Sequence, residues 1–118
     1  MSVDIKSVKQ GTVVVLEVSG DAIDASNVQL FRSTVAGMVE GRKHIVIDLA
    51  LVKFVDSSGI GALLSVLRKA NAISGEVKLC CLQPNVKSLF DLVRMTRLFD
   101  TFETRVEAVD SFLEETAT

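Results

Sequence analysis

The stretch most suited to chemistry is Asp56-Ser57-Ser58-Gly59-Ile60-Gly61. An apolar run precedes it and apolar residues at helical spacing follow it, so it lies where a strand gives way to a helix. A serine at a helix start stands beside unpaired backbone N–H groups and the positive end of the helix dipole. Such a place favours negative charge, and a phosphate is the group we expect there. The alternative is that each serine only caps the helix.

The two glycines of this stretch add a second signal. Gly59 and Gly61 each lower the helix propensity of the first turn by about 1 kcal/mol relative to alanine. Glycines tolerated at this cost indicate that another surface comes close to the turn. That surface belongs either to the domain itself or to a partner.

The sequence lacks the residue sets of common catalytic sites. His44 is the only histidine, and a strand of about 15 Å separates it from Ser58, too far for a nucleophile and its base. There is no P-loop, GxGxxG or metal-ligand cluster. Cys80 and Cys81 are predicted to be small apolar strand residues on opposite faces, with no zinc. We therefore predict no enzymatic activity, no cofactor and no metal.

Composition limits the class of protein. The 118 residues are 48% apolar and 24% charged, which predicts one globular domain over residues 1–118. A net charge of −2 argues against nucleic acid as a partner. Residues 1–6 contain no signal-peptide core and no apolar run is long enough to span a membrane. We expect a cytoplasmic protein without membrane insertion.

The hydrophobic pattern predicts an α/β fold: a mixed β-sheet with an N-terminal hairpin and about four helices packed mainly on one side. The predicted elements, in order, are strands Val3–Val8 and Val13–Val18, a helix from Ser26 to Gly41, strand Ile45–Leu49, a helix from Ser57 or Ser58 to Ala72, strand Val77–Leu82, a helix starting at 83–85, a short strand within Leu98–Phe102, and a helix over Arg105–Glu115.

Several side chains have predicted places in this scheme. Ser26 is expected to cap the first helix in a capping box with Gln29, and Phe54 to fill the core under the serine-containing turn. The core where the first two helices meet the sheet is predicted to contain Phe31, Ile47, Leu64 and Leu67. The apolar face of the third helix is predicted to consist of Val86, Leu89, Phe90 and Val93, and the inward face of the last helix of Val106, Val109, Phe112 and Leu113.

The motif Asp56–Gly61, with the strand before it and the helix after it, resembles the signature of the STAS family. More narrowly, the order of elements and the chain length resemble the bacterial anti-sigma factor antagonists. The resemblance covers almost the whole chain and implies the same single-domain fold.

This resemblance implies a regulatory binding module. The unphosphorylated domain would bind an anti-sigma factor that is also a serine kinase of the GHKL type, and so release a sigma factor. The kinase would then phosphorylate a motif serine, and a serine phosphatase would restore the active form. By position, Ser58 matches the acceptor and Asp56, Ser57, Gly59, Ile60 and Gly61 its surroundings. Asp21 or Asp24 matches an acidic loop position, and the loop spacing leaves both open.

The choice between the serines is argued from helix geometry. Neighbouring residues of a helix project about 100° apart, so Ser57 and Ser58 cannot both present to one kinase site. Ser57 directly follows Asp56 and is predicted to be the N-cap. Ser58 is then expected to point outward beside Gly59 and to be phosphorylated, with Ser57 as the fallback.

A second interpretation stays open. STAS domains also serve transporters, lipid-trafficking complexes and sensory assemblies, and a fold does not determine a function. The retained Asp56–Gly59 run favours the phosphorylation switch. The oligomeric state is left open between a monomer and a weak dimer.

Overall fold

The computed structural model describes the backbone of residues 3–117 and the side chains of residues 3–114. It confirms the predicted α/β fold with an N-terminal hairpin and four helices. A 3-10 helix at Met95–Arg97 is an additional element. The elements are β1 (Asp4–Gln10), β2 (Val13–Ser19), β3 (Ala22–Ile23), α1 (Val28–Val39), β4 (His44–Asp48), β5 (Phe54–Val55), α2 (Ser57–Ala72), β6 (Glu76–Cys80), α3 (Pro84–Leu92), β7 (Asp100–Phe102) and α4 (Arg105–Ala117).

Five strands form the main sheet in the order β1-β2-β4-β6-β7. The β1–β2 hairpin is antiparallel and the other pairs are parallel. The register places Leu16, Ile47 and Leu79 side by side. Because side chains alternate along a strand, each central strand supplies apolar residues to both faces of the sheet.

The two faces carry different numbers of helices. The larger core lies under α1, α2 and α3, where Phe31, Leu63 and Phe90 meet the sheet. The smaller core lies under α4 and contains Val46, Cys80, Val109 and Phe112 among its residues. Three helices thus cover one face and one covers the other, which agrees with the prediction of packing mainly on one side.

A small parallel ladder between β3 and β5 was not predicted from the sequence. Ala22 pairs with Phe54, and Ile23 with Val55. The backbone carbonyl of Ile23 also accepts a hydrogen bond from the N–H of Asp56, at 3.2 Å. Strands of two residues are too short to show a hydrophobic period. This ladder joins the loop before α1 to the turn before α2.

The predicted capping box at Ser26 is wrong. The N-cap of α1 is Asn27, whose side-chain amide donates to the carbonyl of Ala22 at 2.8 Å and whose Oδ1 accepts from the N–H of Asp24 at 3.1 Å. The hydroxyl of Ser26 instead donates to the carboxylate of Asp24 at 2.6 Å. Asparagine and serine are equally common caps, but the side chain of Asn27 makes no capping hydrogen bond to α1 and instead holds the loop before the helix.

Several predicted core positions also differ. Phe31, Ile47 and Leu67 are buried as predicted, but Leu64 is only partly buried beside the fully buried Leu63. Phe54 is 53% exposed because its neighbour Val55 points inward and adjacent strand residues face opposite sides. The remaining predicted core residues that prove exposed are Val93, Val106 and Leu113.

No helix within the described residues is both long enough and apolar enough to cross a membrane.

Candidate functional site

Asp56 fixes the start of α2. Its Oδ1 accepts a hydrogen bond from the N–H of Gly59 at 3.0 Å, and its Oδ2 accepts from the N–H of Ala25 at 3.1 Å. One carboxylate therefore caps the helix and ties it to the loop before α1. The prediction that Ser57 is the N-cap is wrong, because Asp56 holds that position and Ser57 is the first helical residue. We refer to residues 56–61 as the serine turn.

The two serines differ in exposure. Ser57 is exposed and Ser58 is partly buried. Neither hydroxyl makes a hydrogen bond to a described residue. The capping argument that set Ser58 outward and kept Ser57 occupied therefore has no basis in this geometry.

The two glycines of the serine turn lie against different neighbouring groups. A Cβ on Gly59 would lie 2.5 Å from the carbonyl oxygen of Ile23 and 2.8 Å from Cγ1 of Val55, so packing within the domain requires glycine there. A Cβ on Gly61 would lie 3.4 Å from Nη2 of Arg32. Ile60, between them, is partly buried against the larger core. Gly59 is thus explained by the fold, whereas Gly61 lies beside the Arg32 side chain.

The loop acids behave differently from each other. Oδ1 of Asp24 accepts from the hydroxyl of Ser26 at 2.6 Å and from its backbone N–H at 2.9 Å. These hydrogen bonds hold the pKa of Asp24 below its ordinary value of 3.8, and the bond from the Ser26 hydroxyl is the largest cause. Asp21 is exposed, and its carboxylate has no hydrogen bond or ion pair with a described residue. Only its backbone carbonyl is used, by the N–H groups of Lys53 and Phe54.

The β3–β5 ladder therefore assembles the predicted site. It brings the 21–24 loop against the serine turn, and the Asp56 carboxylate joins the two. None of Asp21, Asp24 and Asp56 forms an ion pair with a described residue. The site is an open surface that combines exposed hydroxyl and carboxylate groups with a close-packed backbone.

Sequence reasoning missed a second polar cluster on the opposite face of the sheet. Oδ2 of Asp48 accepts from Nε and Nη2 of Arg105 at 3.1 and 2.8 Å, and Oε1 of Glu17 accepts from Nη2 at 2.6 Å. Burial alone would lower the pKa of Arg105, but the hydrogen bonds to Glu17 and Asp48 raise it above its ordinary value. We call Glu17, Asp48 and Arg105 the Arg105 cluster. A carboxylate at the end of an apolar strand was its one sequence signal.

The cysteines lie beside this cluster, and their predicted orientation is wrong. The ligand atoms of Asp48, Cys80 and Cys81 all lie within 4.8 Å of one another. Strand β6 ends at Cys80, and Cys81 turns back because its backbone adopts a φ of +64°. Burial raises the pKa of both thiols. Their proximity alone is what a metal site would need, but both oxygens of Asp48 already accept hydrogen bonds, Oδ2 from Arg105 and Oδ1 from the N–H of Ala50.

Comparison with known proteins identifies the family of this domain. The sequence pattern of the STAS domain family matches residues 4–108. An anti-sigma F factor antagonist from Paenibacillus polymyxa is 26% identical over 111 residues, which is 92% of this chain and 94% of the relative.

Solved structures give the same fold. The anti-sigma factor antagonist SpoIIAA in its unphosphorylated form superposes with a TM-score of 0.78 at 22% identity, covering 94% of this chain and 97% of that one. The Bacillus protein has also been solved in its phosphorylated form. The murine anion transporter Slc26a9 matches with a TM-score of 0.77 at 18% identity, over 94% of this chain and 19% of the transporter.

Proposed function

The chain belongs to the STAS domain family, and we propose that it is an anti-sigma factor antagonist whose binding is switched by phosphorylation of the serine turn. Unphosphorylated, it binds an anti-sigma factor that is also a GHKL-type serine kinase, and a sigma factor is released. The kinase then modifies the antagonist, and a serine phosphatase reverses the change. These are steps of binding and modification in the cytoplasm, in which the antagonist itself catalyses nothing.

The observation that carries this proposal is the exposed hydroxyl of Ser57, which has no hydrogen-bond partner among the described residues, at the N-terminus of a capped helix. The backbone around it is fixed by Asp56 and by the close packing of Gly59. A kinase would therefore meet an accessible nucleophile on a rigid support. Phosphoryl transfer depends mainly on positioning and on charge stabilisation, which the kinase supplies.

Exposure supports Ser57, the fallback choice from the sequence, as the first acceptor. Ser58 is partly buried, so a smaller fraction of it is accessible to a kinase. The two hydroxyls still project about 100° apart, and one kinase site accepts one of them.

Charge explains how the switch releases the partner. A phosphate adds about −1.5 to −2 charges, and the helix N-terminus tolerates it within the domain. Asp21, Asp24 and Asp56 already lie around the serine turn without an ion-pair partner among the described residues. A partner surface that accepts a neutral hydroxyl would then face repulsion and the cost of desolvating a phosphate. A loss of about 3 kcal/mol corresponds to roughly a hundredfold in affinity.

The fold alone does not separate this role from that of a transporter subunit, because a transporter domain shares it. The serine turn does separate them experimentally. The test uses a purified anti-sigma kinase of the proposed GHKL type, ATP, and fragmentation mass spectrometry of the modified protein. We expect phosphate on Ser57, abolished in Ser57→Ala and retained in Ser58→Ala.

Binding provides the second half of this test. By calorimetry, unphosphorylated protein and Ser57→Ala should bind the kinase with similar affinity, and Ser57→Glu should bind at least about tenfold more weakly because it adds part of the charge. Phosphate on Ser58 would reassign the acceptor. No phosphate on either serine, with equal binding by the Ala and Glu variants, would overturn the proposed function.

A further inference from the structure

A groove runs between α1 and α2 on the side of the domain that carries the serine turn. It consists of two adjoining cavities of about 380 and 360 Å³ that share Ala36, Val39 and Lys69. We call it the helix groove. Its size is that of a site for one or two side chains or a short segment of chain.

The floor of the helix groove is made of small and apolar residues. Ala36 and Val39 from α1 face Ala62 and Val66 from α2. Val39, Ala62 and Val66 are part of the larger core, so the floor is packed from below and open above. An apolar side chain that enters here would remove its own surface and that of the floor from water, which is favourable by roughly 25 cal/mol per Å² of apolar surface.

The rim is positively charged. Arg32 and Lys69 line the first cavity and are exposed, and neither forms an ion pair with a described residue. Among the described residues, no acidic side chain lines this cavity. Glu40 lines only the second cavity. In a chain with a net charge of −2, this rim is a local excess of positive charge.

The helix groove begins at the serine turn. Nη1 of Arg32 donates to the hydroxyl of Ser65 at 2.7 Å, and that hydroxyl donates to the carbonyl of Gly61 at 3.2 Å. The guanidinium is therefore held against the last residue of the serine turn. Lys69 lies one helical turn beyond Ser65, about 6 Å along α2. The two rim cations therefore follow one another along a path that leads away from Ser57.

We propose that the helix groove docks an acidic segment of the same anti-sigma kinase that binds the serine turn, a proposal that rests on the proposed function. The segment places an apolar side chain on the floor and carboxylates against Arg32 and Lys69. Charge complementarity selects this occupant, because the serine turn is acidic and the groove is basic. A partner that presents a basic region to one and an acidic segment to the other can bind in only one orientation.

The test compares Lys69→Glu with Arg68→Glu. Both reverse a charge on the exposed side of α2, but Arg68 does not line the helix groove. Binding of each unphosphorylated variant to the purified kinase is measured by calorimetry at 50 and 500 mM salt, with a non-hydrolysable ATP analogue. A third variant, Arg32→Gln, removes the other rim charge, and circular dichroism confirms that every variant is folded.

We expect Lys69→Glu to weaken binding about tenfold at low salt and Arg68→Glu to change it less than threefold. High salt should weaken binding by the wild type more than binding by Lys69→Glu, because the variant has already lost part of the electrostatic attraction that salt screens. Equal affinities of the two reversal variants would overturn the groove proposal while leaving the proposed function intact. Failure of the wild type to bind the kinase would overturn both.

Discussion

The serine turn and the Arg105 cluster use charge in opposite ways. In the Arg105 cluster the cation is shared by two carboxylates at 2.6 and 2.8 Å, and the group joins α4 to the sheet. Around the serine turn, Asp21, Asp24 and Asp56 have no ion-pair partner among the described residues. Backbone N–H groups donate to Asp24 and Asp56, and the hydroxyl of Ser26 also donates to Asp24. Compensated charge therefore holds elements together here, and the uncompensated charge lies where we propose that the partner binds.

The comparison predicts that stability and binding respond to different substitutions. Changes in the Arg105 cluster should affect stability and leave partner binding alone. Changes to exposed groups of the serine turn should affect binding and leave stability alone. Gly59 should affect both, because it lies where the serine turn packs against the domain.

The largest expected effect is that of Gly59→Ala. The new methyl would lie 2.5 Å from a backbone carbonyl, so the β3–β5 ladder and the α2 start must move apart. We expect a loss of about 2 kcal/mol in the free energy of unfolding after the small gain in helix propensity, together with weaker partner binding. Chemical denaturation and calorimetry measure the two effects.

Gly37→Ala is the matched control. Gly37 lies in α1, and a methyl there would meet nothing within 4 Å. The free energy of unfolding of Gly37→Ala should therefore exceed that of the wild type by about 0.5–1 kcal/mol, because alanine favours a helix more than glycine does. If Gly59→Ala were as stable as Gly37→Ala, the packing explanation for Gly59 would be wrong.

Arg105→Ala should have a smaller effect on stability. It leaves the carboxylate of Asp48, whose side chain is 10% exposed, without its charged donor, while the N–H of Ala50 still donates to Oδ1. Because Arg105 and Glu17 are 28% and 34% exposed, water replaces part of the loss, and we expect about 1 kcal/mol. Arg68→Ala, on an exposed residue, should be nearly neutral. Weaker partner binding by Arg105→Ala would contradict the division of roles between the two regions.

The parts predicted from the sequence are those that a hydrophobic pattern of five residues or more encodes. Strand β2 and the central strand β4 are nearly continuous apolar runs, and α2 has apolar residues at helical spacing. The β3–β5 ladder has two residues a strand and shows none. Arg105 and Asp48 are 57 residues apart in the chain, so nothing local indicates that they pair.

The error at the serine turn has a different origin. Aspartate and serine are almost equally good N-caps, and Asp56-Ser57-Ser58 offers three candidates in a row. The structure selects Asp56 because its second oxygen also binds Ala25, in a loop 31 residues earlier. Choosing among equal local candidates thus required a long-range contact, and the choice decided which serine is exposed.

The smallest expected effect separates the two loop acids. The carboxylate of Asp24 holds Ser26, whereas that of Asp21 has no partner among the described residues. Asp24→Ala should therefore lower the thermal midpoint slightly, and Asp21→Ala should leave it unchanged. The pKa of Asp24 is lowered in the folded state from its ordinary value of 3.8, so its stabilisation is present above that ordinary value and is lost as the pH falls through the folded-state value. The difference between Asp24→Ala and the wild type should then be constant from about pH 5 to 8 and disappear below the folded-state pKa. If Asp21 is the acid that meets the partner, Asp21→Ala should alter kinase binding at neutral pH more than Asp24→Ala does. A pH-independent deficit in Asp24→Ala would show that the loop depends on something other than this carboxylate.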